Sequence, residues 1–388
     1  MIKTKVLLLL CILFLSLSVA NQFGANANSV TIRVPEDYST IQAAINHANP
    51  GAIVQVSSGT YHENLFINKT LTLIGEDKVN TIIVGNGHGI SVIQANLTTV
   101  NISGFTLTNG TNGIMLETCN GSIIRDNNVE NHLSRGIWLY HSYSNTVSDN
   151  LVSNSSWRGI VLCGHSSENI IIRNTIKDNP NGIALTGWDN LIYHNNFINN
   201  QNQTEMIESF NNTWDNSFEG NYWSNYNGSD TNQDGIGDTP YLIDVNNQDN
   251  YPLMGMVSQF QVSKEGETYY VTTISNSTIT DLNFGHSISL DVTGLEGTAG
   301  FCRTILPRAL FNDNQTILVN GSPPITEKEL PASNNTNVYL YFAYMHSTHT
   351  VVITPENLVI IIFSVLVIST LVATIVAKRV RSKKKGQK

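Results

Sequence analysis

The chain has 388 residues and a formal charge of −9, from 30 acidic and 21 basic side chains. Nine of the basic residues fall before residue 6 or after residue 377, so the stretch between them sets twelve basic against thirty acidic side chains and carries −18. That balance excludes nucleic acid as a partner and counts against gripping a polyanion unless a cation intervenes.

Residues 1–27 combine Lys3 and Lys5, an apolar run over 6–19 and the small-residue site Ala25-Asn26-Ala27, the layout of a secretory signal peptide. From Thr31 a short strand leads into an amphipathic helix with capping-box spacing at Ser39 and Gln42, ended by Pro50-Gly51. Strand character resumes at residues 53–56 and at the Gly59-Thr60-Tyr61 turn. The pair Gly-Ile then returns at Gly89-Ile90, Gly113-Ile114, Gly136-Ile137, Gly159-Ile160 and Gly182-Ile183, at intervals of 24, 23, 23 and 23 residues. Side chains alternate after each glycine, as in Ile114 with Leu116 or Ile137 with Leu139, which is strand periodicity with one buried face. Asn127, Asn150, Asn174 and Asn195 form a second ladder, expected as turns because asparagine tolerates left-handed backbone. A unit this short cannot bury its own apolar face, so the copies must stack, each coil rising roughly 4.8 Å. The expected fold class is all-β: a parallel β-helix of about eight coils of ~23 residues, with the helix near residue 40 capping its open end.

The stretch Tyr38-Ser39-Thr40-Ile41-Gln42-Ala43-Ala44-Ile45, then Pro50-Gly51 and Gly59-Thr60-Tyr61, resembles the amino-terminal cap of pectin-lyase-like right-handed parallel β-helices. With the coils that follow, residues 31–254 are similar to the NosD-like, carbohydrate-binding and sugar-hydrolase (CASH) β-helix proteins found on archaeal surfaces. The resemblance implies a right-handed coil. It leaves activity open, since that superfamily holds lyases, hydrolases, epimerases, esterases and proteins without catalysis. The NosD name suggests copper, but the ten histidines and six methionines are dispersed without ligand spacing.

Beyond the coils, Asp230, Asn232, Asp234, the Ile236 carbonyl and Asp238 match alternate positions of a calcium loop, with Gly235 at the turn. Tyr241 stands where an EF-hand needs glutamate, so the loop resembles the shorter Asp-rich loops of dockerin-like and thrombospondin-like repeats. Ca2+ is the expected cofactor, its absence leaving this junction mobile. Over 257–354 the 23-residue period gives way to longer alternating runs, the pattern of an antiparallel β-sandwich. Residues 358–377 carry no charge and precede a basic tail at 378–388, which predicts one transmembrane helix with a cytoplasmic carboxyl terminus. The expected division is a leader at 1–27, a capped β-helix at 28–217, a carboxyl cap with the calcium-type loop at 218–256, the sandwich, the membrane helix and the tail. Thirteen Asn-x-Ser/Thr sequons suit an external chain. Cys119 and Cys163 fall two coils apart, roughly 9–10 Å, beyond disulfide reach.

Side chains between the inward positions point outward, so Trp138 and Tyr140, with His141 and Arg158 nearby, are candidates to bind sugar faces and hydroxyls. Arg135 and Arg158 stack at one coil's interval, and Trp157 and Trp188 can extend the patch. A catalytic set on this fold requires paired carboxylates or a base beside acids. The nearest set is Arg135, Arg158, His165, Glu168 and Asp189, with only part of a Gly-His-Gly motif at Gly164-His165-Ser166. The residues therefore predict a membrane-anchored surface protein binding polysaccharide, envelope glycans or envelope proteins without turnover. A polysaccharide lyase, hydrolase or epimerase and a structural spacer are the alternatives.

Overall fold

The computed structural model describes residues 30–311 and 314–356. The leader, the transmembrane segment at 358–377 and the basic tail lie outside the described residues; among those described, no helix is long and apolar enough to cross a membrane.

Short parallel strands stack in register into a solenoid with three faces. The first face is an eight-stranded sheet running from Thr31–Val34 to Leu191–Tyr193. The other two share a thirteen-stranded sheet, because the long strands Thr81–Asn96 and Thr106–Glu117 turn the corner between them. The third face continues through Arg135–Tyr140, Arg158–Cys163, Asn181–Leu185 and Asn202–Met206.

Ile114, Ile137, Ile160 and Ile183 pair in register along this third face and are fully buried, the row that the 23-residue spacing predicts. Each such burial stabilises by about 1.5–3 kcal/mol, and stacking makes the core continuous. The first rung differs. Ile93, not Ile90, lies beside Ile114, and Ile90 is exposed. Gly87 and Gly89 both take positive φ there, and two register shifts absorb the extra residues as a bulge. Beside the isoleucines runs a glycine column with no room for a side chain: a Cβ on Gly136 would meet Val152 Cγ1 at 2.4 Å and the Gly159 carbonyl oxygen at 2.7 Å.

The asparagine ladder has a different role from the turn expected of it. The residue before each asparagine makes the turn: Asp126, Asp149, Arg173 and His194 all have φ between 54° and 59°. The asparagines themselves are buried inside the corner. Asn150 Oδ1 accepts from Asn127 N at 3.1 Å, Asn174 Oδ1 from Asn150 N at 3.1 Å, and Asn195 Oδ1 from Asn174 N at 2.9 Å, while each Nδ2 donates to a carbonyl of the coil before. Asn145, Asn169, Asn190 and Asn212 repeat the arrangement at a second corner, and Asn179 with Asn200 at the third. Corner amides cannot close a strand ladder, so a side-chain amide serving both its own and the neighbouring coil satisfies them without water.

At the amino end the helix Ile41–His47 covers the first coil. Its N-cap is Thr40, one residue beyond the expected Ser39, and the Glu63 carboxylate accepts from Ile41 N and Gln42 N at 2.9 Å each. Gln42 does not reach back to the cap as the box spacing suggested; it bonds Asn46 and the Phe66 backbone. At the far end Trp223 stacks between Phe197 and Tyr241, at 4.3 Å from each, plugging the open core.

Residues 256–355 form a five-stranded and a four-stranded antiparallel sheet around a shared core that includes Val271, Phe342, Leu290 and Ile353. Cys119, Cys163 and Cys302 are all free. The sandwich meets the solenoid through a buried ion pair: Arg303 Nη2 lies 2.6 Å from Glu219 Oε1, and His194 Nε2 lies 2.8 Å from Glu219 Oε2. Burial alone pushes the Glu219 carboxyl up, but His194 and Arg303 outweigh it and hold its pKa at about 2. Ile236, Leu253, Val257, Ile274 and Phe301 form an apolar cluster across the same junction.

Candidate binding face

The regular interval between coils carries outward side chains into columns as surely as inward ones. On the third face one outward row runs Met115, Trp138, Val161, Ala184, Glu205 and its neighbour runs Asn112, Arg135, Arg158, Asn181, Asn202. The two rows interlock. The Arg135 guanidinium lies 4.3 Å from the Trp138 ring and 4.6 Å from the Trp157 ring, and Arg158 lies 3.7 Å from Trp157. Indoles and guanidinium groups thus alternate along one run of contacts, each a cation–π attraction worth about 0.5–2 kcal/mol. Arg158 then reaches two coils on, where its Nε and Nη2 each donate to Glu205 at 2.7 Å. Val161 and Ala184 face outward yet are only 2% exposed, whereas Trp157 is 41% exposed.

Of the predicted ligand-binding residues, Trp138 and Arg158 join this run, with Tyr140 tilted against Trp138 at 5.7 Å and His141 against Tyr140 at 4.1 Å. Trp138 Nε1 also donates to Cys163 Sγ at 2.9 Å. Trp188 instead belongs to a second aromatic group with His165 and Phe210. Glu205 went unnoticed in the sequence because the coils shorten near it: Ala184 to Glu205 is 21 residues, and stepping by 23 overshoots.

Of the candidate catalytic residues, Arg135 and Arg158 meet at Trp157, and three of the five side chains are engaged elsewhere. Arg158 is committed to Glu205, His165 lies tilted against Trp188 at 5.0 Å, and Glu168 accepts from Ser144 Oγ; no ion pair joins Arg135, His165, Glu168 or Asp189 among the described residues. His165, Glu168 and Asp189 are themselves positive-φ turn residues. Asp126 and Asp149 likewise are turn residues, paired with Lys78 and Arg173.

In the Asp-rich loop, Asp230 accepts from Asp234 N and Gly235 N at 2.9 Å each, Asp234 Oδ1 from Ile236 N at 2.9 Å, and Asp238 Oδ2 from Ser229 Oγ, Thr231 N and Thr231 Oγ1. Protein cations hold the loop to the sandwich: Arg303 Nη1 donates to the Asp234 carbonyl at 2.7 Å and Lys328 Nζ to the Asn232 carbonyl at 2.5 Å. The junction that the sequence left mobile without a metal is therefore tied by side chains. Burial, and secondarily the charges of Asp234 and Asp238, still pushes the Asp230 carboxyl up against the pull of its backbone donors, but the three carboxylates are turned to backbone and hydroxyl donors and do not gather around a common centre.

The family model described as periplasmic copper-binding protein (NosD) matches residues 18–228. A cell surface glycoprotein of Methanothermus fervidus is 32% identical over 191 residues, which are 46% of this chain and 31% of that protein. A probable ABC transporter binding protein NosD of Stutzerimonas stutzeri is 36% identical over 98 residues, 25% of this chain and 22% of its own. The matched part of this chain spans less than a third of either relative. Among solved structures, an alginate lyase from Paenibacillus covers 50% of this chain and 76% of its own at 17% identity and a TM-score of 0.40, and Geobacillus virus E2 ORF18 covers 80% and 76% at 16% and 0.42. Likenesses this distant say nothing of activity.

The copper of the family description finds no ligand shell in these residues. Among the described residues no three His, Cys, Asp or Glu side chains gather around a common centre. His194 is bound to Glu219, His346 to Ser277 and Thr298, and His132 is buried with Nδ1 accepting from Gly110 N. With the family model matching more than half of its length, and a parallel solenoid over the matched coils, the chain belongs to the NosD family.

Proposed function

We propose that the protein is displayed on the cell surface, anchored by the segment at 358–377, and uses the third face of its solenoid to bind a glycan or glycosylated envelope component without turning it over. The observation that carries this reading is the run of contacts Trp138, Arg135, Trp157, Arg158, an aromatic and cationic strip along the coil axis. Aromatic faces and guanidinium edges suit the apolar faces and hydroxyls of sugars. The surface placement draws support from the cell surface glycoprotein of M. fervidus, and from a leader and anchor legible in the sequence. A right-handed coil is part of the same reading. So is calcium on Asp230, Asn232, Asp234, the Ile236 carbonyl and Asp238, where it would offset mutual carboxylate repulsion beside a junction already tied by Arg303 and Lys328.

A glycan array followed by product analysis tests the proposal. Binding without new reducing ends, unsaturated products or epimerised sugars is the expected result. Turnover that Arg158→Ala abolishes would replace it with an enzyme, and no binding to any glycan would leave a spacer.

A further inference from the structure

We propose that Arg135 is the docking point for a carboxylate on the bound saccharide, so that the third face selects chains bearing an acidic sugar; this rests on the glycan-binding reading above. The two arginines are not equivalent. Arg158 is neutralised in a bidentate pair by Glu205, two coils away. The residue in register one coil before Glu205 is Ala184, so the same two-coil reach from Arg135 meets a methyl group where Arg158 meets a carboxylate. Among the described residues no acid lies in ion-pair contact with Arg135. Its hydrogen bonding is also poor: Nη1 donates to Ser134 Oγ at 3.3 Å, and the buried Nε has no partner. Burial, then the like charge of Arg158 against the same indole, pulls the Arg135 pKa down.

Two indoles lie within 4.6 Å of the guanidinium carbon and Nε is buried, so the terminal Nη1 and Nη2 are the pair left for a carboxylate to meet end-on. The ligand is further constrained by the −18 of the chain between the two basic ends, which repels a polyanion at long range. A mostly neutral saccharide with an isolated carboxylate satisfies both conditions.

The test is calorimetric titration of the protein with an oligosaccharide containing one hexuronate residue, and with the same oligosaccharide after carboxyl reduction. The native protein is expected to bind the acidic form at least about tenfold more tightly, the worth of one charge-assisted pair. Arg135→Gln is expected to equalise the two, and Arg135→Lys, which keeps the charge without the planar fork, to retain part of the preference; unchanged melting of the variants shows that they fold. Equal native binding of both forms, or a preference that survives Arg135→Gln, overturns the assignment while leaving the glycan-binding reading standing. Failure of the native protein to bind either form removes both.

Discussion

Replacing Arg303 by methionine removes the cation that compensates a carboxylate deep in the junction. Glu219 and Arg303 side chains are 3% and 4% exposed, so neither recovers hydration when the other is lost. Arg303 donates to Glu219 through Nε at 2.8 Å, with Nη2 at 2.6 Å, and to the Asp234 carbonyl through Nη1, while His194 alone would remain on the other Glu219 oxygen. Stranding one member of such a buried pair costs about 3–5 kcal/mol. Because the pair joins two structural units, part of that loss is expected as uncoupling. All five tryptophans lie in residues 138–223, on the solenoid side, so their fluorescence reports that unit while far-ultraviolet dichroism reports both. In urea the native protein is expected to show coincident transitions by the two probes, and Arg303→Met separated ones. The double change Glu219→Gln with Arg303→Met should recover most of the stability, since it removes both charges. A loss under about 1 kcal/mol with coincident transitions would refute the view that this ion pair couples the units.

Three other outcomes follow from the same structure. Asn174→Leu strands the Val147 carbonyl and the Asn150 amide inside the corner and should lower stability by about 2–5 kcal/mol in urea, whereas a change within 0.5 kcal/mol would mean that water replaces the ladder. Burial holds His132 neutral, with its pKa lowered from 6.5 to about 4, so the unfolded chain binds a proton that the folded one does not. The His132 contribution should therefore be lost as pH drops from 6.5 towards 4, against the opposite trend of the buried Asp249 carboxyl, whose pKa burial raises to about 7. The stability difference between the native protein and His132→Gln should shift in the variant's favour over that window, and a difference independent of pH would contradict it. Calcium should raise the melting temperature and Asp234→Ala should abolish the gain, whereas no calcium heat in calorimetry would remove the ion from the account.

The solenoid was legible because its period is short and repeated: once Ile114 and Ile137 are 23 residues apart, stacking dictates the inward row and places Arg135 beside Arg158. The asparagine spacing locates a corner without telling which of two adjacent residues turns it: Asp149 takes the left-handed backbone and Asn150 the interior. Contacts that skip the repeat were invisible. Glu205 lies past a shortened coil, and Glu219 meets Arg303 across 84 residues, from a unit with no common period.

The proposed role of the third face is tested most directly by measuring how tightly a glycan bound by the native protein binds Trp157→Ala, with Trp188→Ala as a control on the neighbouring aromatic group. Trp157 contacts both guanidinium groups, and its loss should weaken binding by about 2 kcal/mol, roughly thirtyfold, while Trp188→Ala changes it little. Unaltered binding by Trp157→Ala in a folded protein would place the ligand elsewhere and contradict the account.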